Sequence, residues 1–539
     1  MLGCRELGPE GVAQGLAGHS GTPAGARAGR PSSDPMPNPG GAAGEPGGAE
    51  SAGAAGRESE AAGEGGAREP RANDAGDSSV PLPPPESAPR IVECADPQPA
   101  RECEFTGEGE DLVVSGDVLA PGVIYLGGAV RVLAAGSIGC VGCNCEDGAP
   151  ARLVRCPGSV ISPAFVNPHD HVAYAHQPPP APSAERYEHR HDWRLGLRGH
   201  TAIPYEGGAP AVVRAAHELR LLLGGATTVA GGAGHRGLLR NPDLPDLGEG
   251  LPNAPADSDT FPLDDASGRL LSDSCAYGGD HTRGEDIERY GGYLPHLGEG
   301  IDAASRNELR CALTQDFDLI RSQTAVVHAV LPSAAEAREL GRRHAAVVWS
   351  PRSNLVLYGN TAPVPLLLRS GVDVSLGTDW LLSGSMNVLR ELACARSFST
   401  GYFPGAIDDM NLFRMVTASA ARAVGAGAAL GRLAPGSLAD VLVVRRRGLA
   451  PHSAVVTAGP ADIELVLRGG TPLYGRAHLI EALVGPSCDA VEVCGAEQRA
   501  CTAETGFGFA ELRAAAEATY PLFSCDLPPN EPPCTPSRP

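Results

Sequence analysis

The stretch Ser159–His171 reads SVISPAFVNPHDH. Branched and aromatic residues between turn-forming ones predict a short buried strand, and it runs straight into Asn167-Pro168-His169-Asp170-His171. Side chains at i and i+2 of a strand share a face, so His169 and His171 can converge on one ion. A lone His-x-His is weak, and three companions give it weight. GGYLPHLGEGID closes a short apolar run on His296, with Glu299 three residues further on. TAVVHAV ends near His328, and VDVSLGTDW passes through a Gly-Thr turn into Asp379 and Trp380. An aspartate after an apolar strand has no packing role, so it either caps a helix or binds something.

Helical stretches such as SAAEARELGRRH and VPLLLRS lie between these strand ends, and AVVRAAHELRLLLGG reads as an amphipathic helix stopped by Gly-Gly. Strand–helix units repeated over about 163–430 predict an α/β fold, a (β/α)₈ barrel whose active site lies at the C-terminal ends of its strands. An open doubly wound sheet is the alternative, but no Gly-rich phosphate loop follows a strand where that fold needs one.

The remainder of the 539 residues divides by composition. Residues 1–90 hold no Phe, Trp or Tyr and cannot bury enough apolar area to offset their conformational entropy, so a disordered tail is expected. Glycine-broken β-like runs fill 91–162 (DLVVSGDVLAPG, VIYLGGAVRVLAAG) and return in 431–485 (ADVLVVRRRG, ADIELVLRGGTPLYG). Paired, they form a small β-sandwich bracketing the 163–430 barrel. Residues 486–539, rich in Cys and Pro, read as an appendage.

The net charge is −21, and all 43 basic residues are arginine. The absence of lysine excludes Schiff-base chemistry, a Walker-type phosphate site and a metal pair bridged by carbamylated lysine. An acidic chain without a basic tract argues against nucleic acid as a partner. The start, MLGCRELGPE, has no apolar core of a signal peptide, and no stretch reaches 18 uninterrupted apolar residues, so no membrane span is expected. Of 15 cysteines, eleven lie in two groups flanking the barrel, while Cys275, Cys311 and Cys394 sit inside it. Such loop-rich clusters read as disulfides and lean towards an extracytoplasmic compartment; without an export signal, the cytoplasm and a different true start stay open. Cys140, Cys143 and Cys145 could instead form a zinc knuckle, though no second ligand pair stands at suitable spacing.

The order His-x-His, His-x-x-Glu, His, Asp on four strand ends is joined by SPRSNLVLYG (350–359) and by APGSLADVLVV before the closing strands. This pattern resembles the amidohydrolase superfamily over about residues 110–480, particularly its single-metal deaminase, chlorohydrolase and imidazolonepropionase branch. The resemblance implies that His169, His171, His296 and Asp379 hold one divalent metal, zinc or alternatively iron. It implies that Glu299 shuttles protons, that His328 orients water or stabilises developing negative charge, and that Asp379 also bonds the water.

The expected function is hydrolysis of a carbon–nitrogen bond other than a peptide bond: deamination or ring opening of a small cyclic amidine or imidazolone by metal-bound hydroxide. Hydrolytic dechlorination or amide cleavage at the same site is an alternative, as is an exported binding protein that kept the barrel without catalysis. The partner is a small-molecule substrate, and a homo-oligomer is compatible. In RYEHRHDWRLGLRGH (186–200), Arg190 and Arg194 either hold an anionic group of the substrate or tie the loop to the barrel by ion pairs. Trp380 faces the cavity mouth or packs under a helix. The Gly/Pro/Asp-rich stretch 235–285 reads as a lid or a surface excursion, and His176, His217 and His344 as structural residues.

Overall fold

Two apolar patterns, alternating in the flanks and continuous in the middle, build two bodies in the computed structural model, which describes residues 88–94, 101–251 and 255–538. The first flank supplies β1 (Arg90–Glu93), β2 (Glu104–Thr106), β3 (Asp111–Ala120), β4 (Val123–Val132), β5 (Ile138–Gly142) and β6 (Ala151–Pro163). The middle supplies β7 (Phe165–Asn167), β8 (Ala226–Val229), β9 (Ala256–Asp259), β10 (Gly292–Leu297), β11 (Ala325–His328), β12 (Ala346–Trp349) and β13 (Asp373–Leu376). The last flank supplies β14 (Val441–Arg445), β15 (Ile463–Arg468), β16 (Thr471–Arg476), β17 (Asp489–Val493) and β18 (Ala496–Ala500). The tail expected over 1–90 falls almost wholly outside the described residues.

The flanks join where β6 and β14 pair antiparallel, from Ser159↔Arg445 to Pro163↔Val441. The result is one eleven-stranded sheet. Val114, Val130, Ile161, Val443 and Leu465 from its strands pack with Leu479 and Ile480 of the helix Ala477–Val484 into a core separate from that of the barrel. Burial of these branched side chains removes apolar surface from water at about 25 cal/mol per Å².

The barrel strands run parallel. β9 to β13 form one ladder, and β7 pairs with β8. The third barrel position is only an isolated bridge, Thr228 with Arg240, after which Ala256 N–H donates to Pro242 O at 3.2 Å. The ring closes where Asp379 N–H donates to His169 O at 3.1 Å. The stretch 235–285 is thus no mere excursion, since it carries the third and fourth barrel positions. The fourth strand reads ADSD, without the apolar periodicity that reveals its neighbours.

The segment 486–539 is built into both bodies. β18 pairs with β16, and the helix Phe509–Glu517 packs on the helix Ala211–Leu222. Seven disulfides pair fourteen cysteines: Cys94–Cys143, Cys103–Cys156, Cys140–Cys145, Cys275–Cys311, Cys394–Cys534, Cys488–Cys501 and Cys494–Cys525. The mid-chain cysteines are therefore bonded as well, and the zinc-knuckle alternative closes because all three of its thiols are in disulfides. Among the described residues no helix is long and apolar enough to cross a membrane.

Candidate metal centre

Strand ends bring the histidines together, although β7 stops at Asn167, so His169 and His171 converge from the segment just beyond the strand. The rings of His169 and His171 lie 4.8 Å apart between centroids, and His296, at the end of β10, is 4.7 Å from His169. Asp379, just past β13, places Oδ1 3.4 Å from His169 Nε2 and 3.5 Å from His171 Nε2. Gly377 allows that approach: a Cβ there would lie 3.0 Å from the His169 Cβ. His328 ends β11 with its ring 5.4 Å from that of His169. His328 and Asp379 both adopt left-handed φ, 75° and 56°, a conformation that costs a non-glycine residue free energy and gathers at functional sites.

The donor set fits a divalent cation. His169 Nε2 and His296 Nε2 are buried without a hydrogen-bond partner, an expensive state for a polar atom that faces nothing. The other nitrogen of His296, Nδ1, stands 3.3 Å from the Asp259 carbonyl; it donates there and leaves a lone pair on Nε2. Two triads, His169–His171–Asp379 and His169–His296–His328, each bring their ligand atoms within 4.8 Å of one another. Imidazole nitrogens with one carboxylate are a donor set for zinc or iron.

Electrostatics keep these groups ready to bind. Burial pushes the imidazoles of His171 and His328 down to about 4 and about 3, and holds that of His296 well below its usual range. Burial alone would raise Asp379, but neighbouring histidines, His169 first, hold its carboxyl below the ordinary carboxylate range. Burial pushes Glu299 up to about 7, against the opposing pull of Arg190. Its Oε2 lies 3.7 Å from His328 Nε2, and its Oε1 accepts from the Tyr358 hydroxyl at 2.7 Å.

A cavity lies over this cluster. Tyr174, Trp193, Phe261 and Trp380 line it with Arg190 and Arg194, and its volume is about 30 Å³, far below the several hundred Å³ of a ligand pocket. Trp380 packs at 5.2 Å from Trp193 and 5.8 Å from Tyr174, between ring centroids.

The Amidohydrolase family's sequence model matches residues 275–473 of this chain. The 5-methylthioadenosine/S-adenosylhomocysteine deaminase of Syntrophobacter fumaroxidans is 36% identical over 141 residues, 26% of this chain and 32% of that protein. The 5′-deoxyadenosine deaminase of Methanothermobacter thermautotrophicus is 34% identical over 174 residues, 30% of this chain and 40% of that protein. The chain thus spans well under half the length of either relative in these matches. In fold it is similar to the zinc-complexed atrazine chlorohydrolase of Arthrobacter aurescens, with a TM-score of 0.50 at 20% identity over 67% of this chain and 95% of the other. Residues 275–473 thus carry the sequence pattern of the Amidohydrolase family, within a fold similar to that chlorohydrolase's.

The candidate ligand and proton-handling residues reach one rim: His169, His171, His296, Glu299, His328, Asp379 and Trp380 surround or line the same space. The two arginines line it too, but both are engaged. Arg190 pairs with the buried Asp265 at 2.6 Å and donates to Thr260 O at 2.7 Å, while Arg194 donates to His191 Nδ1 at 2.7 Å and lies over Phe261. Arg190 thus makes an ion pair of the kind that ties the loop to the barrel, while both side chains stay in the cavity lining. His217, read as structural, carries a specific bond: its Nε2 meets Asp170 Oδ1 at 3.0 Å, and Asp170 also accepts from Thr378 Oγ1 at 2.8 Å.

Sequence reasoning missed Asp265, Asn354 and Tyr358. Asp265 sits in a stretch with no periodicity to mark it. Asn354 and Tyr358 lie inside the quoted SPRSNLVLYG, and their i, i+4 spacing on the helix Pro351–Tyr358 was a usable signal, because it places both on one face.

Proposed function

We propose that this protein is a metal-dependent hydrolase that removes an amino group from a cyclic amidine, with an adenine nucleoside as its leading substrate. The observation that carries the reading is Glu299, a buried carboxyl pushed up to about 7 and set beside His328 and the histidine cluster. A group that titrates near neutrality can both accept and return a proton. The names of the curated relatives support the purine substrate, since they deaminate adenine nucleosides.

His169, His171, His296 and Asp379 would hold one divalent ion, whose Lewis acidity makes water nucleophilic near neutral pH. The residues of this chain do the rest. Glu299 takes the proton of the attacking water at Oε2 and delivers it to the nitrogen that leaves. His328 donates a hydrogen bond to the oxygen on which negative charge develops. Trp193, Phe261 and Trp380 stack against a flat ring and keep bulk water out. A heterocycle does not fit 30 Å³, so substrate entry requires one of the capping rings to move. Seven disulfides persist where thiols are oxidised, so the enzyme works outside a reducing cytosol.

The test is ammonia release from 5′-deoxyadenosine and 5′-methylthioadenosine by the purified protein and by Glu299→Gln. The variant should keep its metal and lose turnover by about 10²-fold or more. Turnover retained by the variant would remove Glu299 from the mechanism, and no ammonia from any purine nucleoside would move the reading to another amidine.

A further inference from the structure

We propose that Trp193 and Trp349, through short hydrogen-bond chains, decide which atoms of Glu299 and His328 handle protons, so that Tyr358 and Asn354 are positioning residues of this site. The inference rests on the reading of Glu299 and His328 as the proton-handling pair. It needs no assumption about the substrate.

The argument starts from donor inventory. An indole N–H can donate and cannot accept. Trp193 Nε1 donates to the Tyr358 hydroxyl oxygen at 2.8 Å, so the single phenolic proton goes onward to Glu299 Oε1 at 2.7 Å. Tyr358 is fully buried, with no solvent to offer another acceptor. Oε1 is therefore committed as an acceptor. Oε2, the oxygen beside His328 Nε2, is left to take and release the proton.

The second chain has the same logic. Trp349 Nε1 donates to Thr361 Oγ1 at 2.7 Å, and the threonine proton then lies towards Asn354 Oδ1 at 3.3 Å. That sets which way the Asn354 amide faces, because the reversed amide would take away the acceptor of the buried threonine proton. Its Nδ2 donates to His328 Nδ1 at 3.1 Å. A nitrogen that accepts holds a lone pair, so His328 carries one proton, on Nε2.

A ring with N–H at Nε2 cannot bind a cation through that atom. His328 is thus set apart from His169 and His296, although the three rings stand within 5.4 Å of one another. It presents an N–H towards Glu299 and the reacting atoms instead. Asn354 and Tyr358 sit one helical turn apart on the helix Pro351–Tyr358, so one short helix orients both members of the pair.

The test reads the tautomer directly, in zinc-loaded protein labelled with ¹⁵N-histidine, with His328→Gln to assign the signals. The expected result is a pyridine-type Nδ1 and a pyrrole-type Nε2–H at His328. Asn354→Asp, whose carboxylate accepts from Nδ1, should put a proton on Nδ1, and Thr361→Val should broaden or mix the two forms. Tyr358→Phe should lower kcat about tenfold or more, with KM within about twofold and zinc content unchanged. A wild-type His328 protonated at Nδ1 would overturn the proposal, as would an Asn354→Asp spectrum like that of the parent or a Tyr358→Phe effect confined to KM. The underlying reading fails separately: active Glu299→Gln protein would remove the proton shuttle while leaving the tautomer result in place.

Discussion

Removing the carboxylate of Asp265 tests how the pocket arginine is held. Asp265 is fully buried, with Oδ2 2.6 Å from Arg190 Nη2 and 2.9 Å from His191 Nε2. Arg190 also has the carboxylate of Glu308 at 3.6 Å. At an effective dielectric of about 20, unit charges some 4 Å apart interact by about 4 kcal/mol, and breaking a buried pair by removing one partner costs about 3–5 kcal/mol. Asp265→Asn keeps the shape and deletes the charge, so it should destabilise the barrel by about 3 kcal/mol at pH 7. Because Arg190 Nη1 also reaches the His296 carbonyl at 3.4 Å, the variant should hold metal less tightly as well.

The sign of the pH dependence follows from the direction of the shift. Burial opposes ionisation of Asp265, but Arg190 and His191 outweigh it and hold the carboxyl well below the ordinary range. A depressed carboxylate stabilises the fold above its unfolded pKa of about 3.9, and that contribution is lost as pH falls further. Urea unfolding followed by circular dichroism, with disulfides intact, should show a constant gap between parent and variant from pH 6 to pH 8 that narrows below about pH 4. The double substitution Arg190→Met with Asp265→Leu should recover most of the loss, since a buried pair replaced by apolar residues is often neutral. A gap below about 0.5 kcal/mol at pH 7, or one that persists unchanged at pH 3, would refute the ion-pair reasoning.

Further expectations concern metal and pH. His169→Ala should lose the bound ion, measured by elemental mass spectrometry against about one per chain in the parent; a variant that keeps its ion would show that the donor set is wrong. Burial pushes Glu218 from its usual 4.5 up to about 8, even though backbone N–H groups of His235 and Leu239 donate to it. A raised carboxyl leaves stability intact below about pH 4.5 and costs about 1.4 kcal/mol per pH unit as pH climbs towards 8. Glu218→Gln resembles the protonated acid, so the variant should match the parent near pH 4.5 and exceed it by roughly 3–3.5 kcal/mol at pH 7. Equal urea midpoints at both pH values would contradict that shift.

Legibility of the chain followed periodicity. The strand ends at His169, His296, His328 and Asp379 were readable because each closes an apolar run, and a barrel places all such ends on one rim. The fourth strand, ADSD, escaped because it is polar and finds its place by pairing with β10 rather than by its own propensity. The segment 486–539 escaped for a related reason: its few apolar residues gain burial only against the helix Ala211–Leu222 and through its disulfides. Arg190 and Arg194 were visible as pocket residues, but the partner that engages Arg190, Asp265, stands 75 residues away in the chain.

The amino-acid sequence alone determined the barrel, the bracketing sheet, the absence of any lysine-based chemistry and the histidines and aspartate that gather at one rim. These are local facts, carried by side-chain type and by spacing along single strands. Tertiary structure alone decided how those groups are protonated and oriented. The polarity of a hydrogen-bond chain such as Trp349–Thr361–Asn354–His328 depends on contacts between distant elements, and a desolvated carboxyl such as Glu299 acquires its pKa from everything packed around it. Neither quantity belongs to any one segment, because burial and hydrogen-bond direction exist only once the whole rim has closed.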